Sequence, residues 1–210
     1  TGLILKTRMP ILRLTLGCGT SVDLSVENRM GCRKSSLIAA HLHSVPALRR
    51  VCFLLKAWAR HRGVYGQVTG YPSGLAFACL GIFVAQCLDR PLTCAISPAS
   101  VPSFAQVPQA RGEEDEADLT PRLLQATFAF YAEAFDWDEE VVSIRYGRRE
   151  GVSRTLLGRG LSIEDPVQPD LDLASPYMDA ARSSILRAEF RRGHMLLARG
   201  HGAELLEPHS

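Results

Sequence analysis

The sequence predicts an α+β fold: a strand pair at the N-terminus, followed by a mainly helical domain with one small strand element. Three observations lead there. Two runs of β-formers, Met9–Leu14 and Ser21–Asn28, flank Gly17-Cys18-Gly19-Thr20, whose glycines suit a hairpin turn. Between Lys34 and Cys87, apolar residues recur at helical spacing in three successive stretches. A lone β-rich run, Val141–Tyr146, then interrupts the helical pattern.

Taken in order, residues 1–28 read as strands and Asn28–Arg33 as a turn. Leu37, Ile38 and Leu42 make Lys34–His43 a helix. Pro46 suits the first turn of a second helix, which runs through Leu48, Val51, Leu55 and Trp58 and ends near Gly63. Ser73–Cys87 is apolar nearly all round, so this third helix belongs at the centre. From Pro91 to Pro121 the pattern breaks, and prolines with the acidic run Glu113–Glu116 mark an exposed insertion near 97–120. Thr120 is expected to cap a helix over Pro121–Phe135, with Phe128, Phe130, Tyr131 and Phe135 as a core stripe. Gly147–Gly160 reads as a basic loop, and the stretch after Asp165-Pro166 as irregular. Ser175 and Pro176 are expected to open a last helix to about Arg199, and 200–210 to form a disordered tail. The implied division is 1–30, 31–199 and the tail.

Composition narrows the function. The 210 residues carry a net charge of +2, so no global basic field announces nucleic acid and any RNA contact must be local. Cys18, Cys32, Cys52, Cys79, Cys87 and Cys94 form no C-x-x-C pair, and several fall in apolar helical patterns. That favours reduced thiols over a zinc site or a disulfide framework. No apolar stretch is long enough to span a membrane, and there are no internal repeats. The chain opens at Thr1 rather than at a methionine, so it reads as a fragment.

Three groups of residues stand out chemically. Asp23 lies mid-strand, where aspartate is depleted; it is either a solvated edge acid or a carboxylate held rigidly for metal binding or catalysis. Lys56 and Arg60 are four apart on a helix, where like charges repel by about a few tenths of a kcal/mol unless an anion sits between them. Arg148, Arg149 and Arg154, with Arg145 and Arg159, populate one loop region, and Arg187, Arg191 and Arg192 the last helix; each set is either a solvated face or a track for an RNA backbone.

The blocks M-P-I-L-R-L and V-D-L-S-V-E-N-R-M-G-C-R-K-S-S-L, then F-L-L-K-A-W-A-R-H-R-G, G-Y-P-S-G-L-A-F and I-E-D-P, occur in an order that resembles the noncanonical poly(A) polymerases and terminal uridylyltransferases. The resemblance implies that the strand pair ends a nucleotidyltransferase palm and that the helical part is the central domain of the poly(A) polymerase-associated type. It implies roles residue by residue. Asp23 matches the third metal-binding catalytic carboxylate. The Gly-Ser turn and two earlier aspartates of the family are absent from these 210 residues, which are therefore expected to be inactive alone. Lys34 stands where relatives carry a ribose-contacting asparagine, and Ser35 matches a phosphate-contacting serine. Lys56 and Arg60 match a lysine pair that binds the triphosphate. Ser73 matches the first residue of a Ser-Ser-Tyr run; Gly74 and Leu75 replace the second serine and the base-stacking tyrosine. Leu75 offers an apolar floor, and Tyr71 is a nearby ring that could stack instead. Asp165 matches a residue used in uracil selection, Gln168 replaces a glutamate of the same loop, and Leu171 stands where some relatives carry a histidine.

What the resemblance implies is template-independent transfer of a nucleotide, UMP by preference, from UTP to a single-stranded RNA 3′ end, with Mg2+ or Mn2+. Adenylate transfer from ATP is the alternative within this class. A catalytically inactive RNA-binding or assembly module of a ribonucleoprotein is the alternative from another class, because Lys34, Gly74, Leu75 and Leu171 all depart around the nucleotide. The compact central region looks most like mitochondrial uridylyltransferases of kinetoplastids, which implies a mitochondrial location, with the cytoplasm as the alternative and no membrane partner.

Overall fold

The N-terminal sheet is antiparallel, in the order β1 (Gly2–Ile4), β2 (Ile11–Thr15), β3 (Ser21–Leu24). The computed structural model describes residues 2–4, 10–99, 119–149, 160–174 and 178–207. The expected hairpin joins β2 to β3: Leu16 and Gly19 close the turn through backbone hydrogen bonds, and Gly19 takes a φ of 82° that its missing Cβ permits. Arg13 pairs with Asp23 across the two strands, so their side chains share a face.

The helical part begins earlier than its apolar pattern suggested. Helix α1 spans Arg29–Ser44, because Asn28 Oδ1 accepts the Gly31 N–H at 2.9 Å and caps the helix. The expected turn over 28–33 is thus the first helical turn. Helix α2 spans Pro46–His61 with proline in its first turn, and Gly63 at φ 68° lets the chain leave it. Helix α3 spans Gly74–Cys87, capped by Ser73, and Ala76 to Gln86 are buried without interruption. It is the central helix, as its all-round apolar character required.

Helix α4 spans Leu119–Ala129 and continues as a π-turn over Phe130–Ala134. Thr120 therefore lies inside the helix and does not cap it. The aromatic stripe is core: Trp58 of α2 meets Phe128 and Phe190, both at 4.8 Å between ring centres, and Tyr131 meets Phe190 at 5.0 Å. The strand expected over Val141–Tyr146 shortens to β4 (Val141–Val142). It pairs in parallel with β5 (Ser162–Ile163), in a stretch whose strand character its sequence did not announce. Helix α5 spans Ala180–Ala198 and starts after the Ser175-Pro176 pair, because Asp179 accepts the Arg182 N–H at 2.8 Å and sets the cap.

Residues 200–207 of the expected tail are described and are not without structure. Gly202–Leu206 forms a 3-10 turn, Leu205 is buried, and Arg62 donates to the Glu207 carbonyl at 3.0 Å. Arg62 also grips Glu189 of α5 through two hydrogen bonds of 2.8 and 3.0 Å. The acidic run Glu113–Glu116 and Arg154 lie outside the described residues. No helix among the described residues is long and apolar enough to cross a membrane. All six cysteines are free; burial pushes the Cys52 thiol up to about 12 and the Cys87 thiol up to about 11, which keeps both protonated and inert.

Candidate functional site

Helices α1, α2 and α3 meet around a cleft of about 560 Å³ lined by Ser35, Ile38, Arg49, Lys56, Gly74 and Leu75, among others. Each helix brings a different chemistry. Helix α1 supplies the exposed Ser35 hydroxyl beside the apolar Ile38, because residues three apart share a face. Helix α2 supplies Lys56 and Arg49, seven apart and so two turns along one face. Helix α3 presents its first residues, Gly74 and Leu75. No carboxylate pairs with Lys56 among the described residues, so the cleft holds an uncompensated cation next to an apolar floor. That combination suits a ligand with an anionic end and a flat apolar end. Ser35 also borders a second cleft of about 780 Å³, which runs past Ser25, Glu27 and Asn28 towards the sheet. Glu27 there adopts φ 55°, a backbone region costly for a side chain other than glycine.

The structure thus brings together Ser35, Lys56 and Leu75, three of the positions expected at a nucleotide. Ser73 sits at the start of α3, where its hydroxyl accepts the Ala76 N–H at 3.5 Å. Arg60 projects one turn beyond Lys56 and donates to the Tyr65 hydroxyl at 3.1 Å, with its guanidinium 4.5 Å from the centre of the Tyr65 ring. Tyr71 does not serve as a stacking ring here. It is 9% exposed, burial pushes its phenol pKa up, and it lies outside the cleft lining.

Lys34 and Asp165 pair with each other. Asp165 is fully buried, its Oδ1 accepts the Val167 and Gln168 N–H groups at 3.0 Å each, and Oδ2 meets the Lys34 ammonium. The carboxylate therefore shapes its own turn and neutralises a cation from α1, leaving no free oxygen to read a base in this arrangement. Gln168 joins through its backbone. The neighbouring Glu164 is likewise occupied, by Ser143 and by Arg145 at 3.1 Å, and Asp172 accepts from Ser162, Ile163 and Ala174. Three acids of this loop are thus spent on its conformation.

Asp23 faces Arg13, which donates to both carboxylate oxygens at 2.7 and 2.8 Å. That hydrogen bonding holds the Asp23 carboxyl below the usual carboxylate range. A pair of divalent ions needs several carboxylates converging on one point, and among the described residues no three acidic, histidine or cysteine side chains do so. Asp23 with its arginine partner does not by itself fit such ions. Arg149, expected to meet RNA, instead grips Glu140 through two hydrogen bonds and lies over Phe130; Arg148 remains exposed.

Two residues in or next to the cleft escaped the sequence reading: Arg49, which lines it, and Tyr65, which lies beside its lining residue Gly74. Arg49 could have been found from its seven-residue spacing to Lys56. Tyr65 had no such signal, because the glycine-bounded turn after α2 carries it back over Gly74.

A family model described as the Cid1 family of poly A polymerases matches residues 122–171, from α4 through the Asp165 loop. Poly(A) RNA polymerase GLD2-A of Xenopus laevis is 21% identical over 208 residues, which cover 89% of this chain and 39% of that protein. Terminal uridylyltransferase 1 of Leishmania tarentolae is 29% identical over 164 residues, covering 71% of this chain and 14% of the relative. The chain therefore spans about two fifths of the length of the first relative and far less of the second. A solved structure of Cid1, described for its RNA terminal uridylyl transferase activity, superposes with a TM-score of 0.79 at 20% identity, over 100% of this chain and 71% of that one; this likeness is one of fold. The family model lies on the loop that Lys34 anchors, the relatives align across most of the chain and the fold is shared end to end, so the chain is similar throughout to noncanonical poly(A) polymerases and terminal uridylyltransferases.

Proposed function

We propose that this chain is the nucleotide-gripping part of a template-independent RNA 3′-terminal nucleotidyltransferase. The cleft between α1, α2 and α3 carries the reading: it sets the cation of Lys56 and the hydroxyl of Ser35 beside the apolar Leu75. Lys56, with Arg49 two turns away, holds the polyphosphate of a nucleoside triphosphate, and Leu75 lies under the base. In the reaction the RNA 3′-oxygen bonds to the α-phosphorus, the bond to pyrophosphate breaks, and the hydroxyl proton is lost. This chain's residues bind and orient the triphosphate; the activity belongs to the whole protein, for which a mitochondrial location is part of the proposal. The base is uridine in this reading, supported by the terminal uridylyltransferase relative, while the GLD2 relatives support adenosine as the alternative. The Lys34–Asp165 pair acts from behind the site, fixing the loop that borders it.

One observation favours a second reading, an inactive RNA-binding module: Asp23 is closed by Arg13, and the described residues hold no converging acid cluster. Both are tested by incubating the complete protein with a short single-stranded RNA, Mg2+ or Mn2+ and each nucleoside triphosphate in turn. The expected result is extension by UTP in preference to ATP. Lys56→Ala should raise the KM for the triphosphate about tenfold or more, the loss of a charged contact. Asp23→Ala should abolish extension without changing triphosphate affinity. Extension by ATP alone would reverse the base assignment, and folded protein that binds RNA but extends it with nothing would establish the second reading.

A further inference from the structure

Gly74 opens α3 without a side chain, yet the space beside it is filled. A Cβ placed there would lie 2.6 Å from the Tyr65 hydroxyl, and 3.8 Å from Lys56 Cε. The phenol oxygen therefore sits where a side chain at position 74 would go, and that same position neighbours the lysine that lines the cleft. Its placement is determined on both sides. The Tyr65 ring stacks on Phe77 at 5.8 Å with planes 13° apart, and Arg60 donates to its oxygen at 3.1 Å while lying over the ring. Because Arg60 uses a lone pair of that oxygen, the phenolic proton is not needed to hold the ring in place. No acceptor takes it among the described residues, which leaves a donor beside Gly74, a residue that lines the cleft.

We propose that Tyr65 is a nucleotide-binding residue whose hydroxyl donates to the polyphosphate held by Lys56, standing in for the serine hydroxyl that Gly74 lacks. The inference rests on the nucleotide site proposed above. It also explains the glycine: serine at 74 would collide with the phenol oxygen, so the tyrosine and the glycine form one exchangeable pair.

The test uses the complete protein and calorimetric binding of whichever of UTP and ATP binds more tightly, with the matching monophosphate as the second probe. Melting temperatures confirm that each variant is folded. Tyr65→Phe keeps the ring and removes only the hydroxyl. It should weaken triphosphate binding about tenfold, as expected for losing a hydrogen bond to a charged group, and leave the monophosphate unchanged. Gly74→Ser should also weaken the triphosphate, by collision. The double variant Tyr65→Phe with Gly74→Ser has both the space and a hydroxyl, and should recover to within about threefold of the parent. Unchanged triphosphate affinity in Tyr65→Phe, equal losses for both probes, or no recovery in the folded double variant would each overturn the assignment. Lys56→Ala separates the two levels. If it binds triphosphate like the parent, the site itself is wrong; if it weakens binding and Tyr65→Phe does not, only the role of Tyr65 falls.

Discussion

Lys34 shows how one residue changes its meaning once folded. From the sequence its position was expected at the ribose; here the ammonium reaches the buried Asp165 and compensates a carboxylate that would otherwise be costly to bury. His41 is another buried polar side chain on the same helix. It is fully enclosed, its Nδ1 lies 3.0 Å from Thr93 Oγ1, and burial lowers its pKa to about 4. In the unfolded chain the imidazole titrates near 6.5, so between pH 6.5 and 4 the unfolded state binds a proton that the folded state does not. Stability is thus lost as pH falls through that window, by up to about 1.4 kcal/mol per pH unit from this one group. In urea titrations at stepped pH, His41→Gln should flatten the slope between pH 6.5 and 4 by one proton; an unchanged slope would show that His41 is not the group responsible.

At the scale of elements, close approaches decide how the helices sit. Gly81 of α3 faces Cys52 of α2, and Gly193 of α5 faces Phe128 of α4; a Cβ at 193 would fall 2.3 Å from the Phe128 ring. The ring is fully buried against Trp58 and Phe190 and has nowhere to retreat. Gly193→Ala gains helix propensity of about 1 kcal/mol but overpacks the core by about 1–3 kcal/mol, so it should lower stability on balance in denaturant unfolding. Helices α2 and α3 were legible in the sequence nearly to the residue, because proline, serine and glycine mark their ends and apolar periodicity marks their bodies. Strand β5 was not, since its two residues become a strand only by pairing with β4. The starts of α1 and α5 were misplaced, because each is set by a side-chain cap, Asn28 on the Gly31 N–H and Asp179 on the Arg182 N–H, and not by the apolar period.

Across the whole molecule, the longest-range link outside the apolar core is the grip of Arg62 on Glu189 and on the Glu207 carbonyl, which ties the end of α2 to α5 and the tail. Burial opposes the charge on Glu189, but hydrogen bonds from Arg62 and Arg192 outweigh it and hold the carboxyl below its usual range. Its contribution is therefore present above the unfolded value of 4.5 and is lost as pH falls through the lower folded one. Glu189→Ala leaves Arg62 without its partner and should cost about 2 kcal/mol at neutral pH, read as a lower urea midpoint. It should also loosen the tail, read as faster amide exchange near Leu205. What the sequence alone determined was the N-terminal hairpin, the order of the helices, the central place of α3 and the resemblance carried by its motifs, since periodicity, caps and short motifs act over a few neighbouring residues. Only the tertiary structure decided which charges are spent. Asp165 on Lys34, Asp23 on Arg13, Arg149 on Glu140 and the Tyr65 hydroxyl over Gly74 join residues 9 to 131 positions apart, and pairing at that distance depends on how strands, turns and helices are brought together.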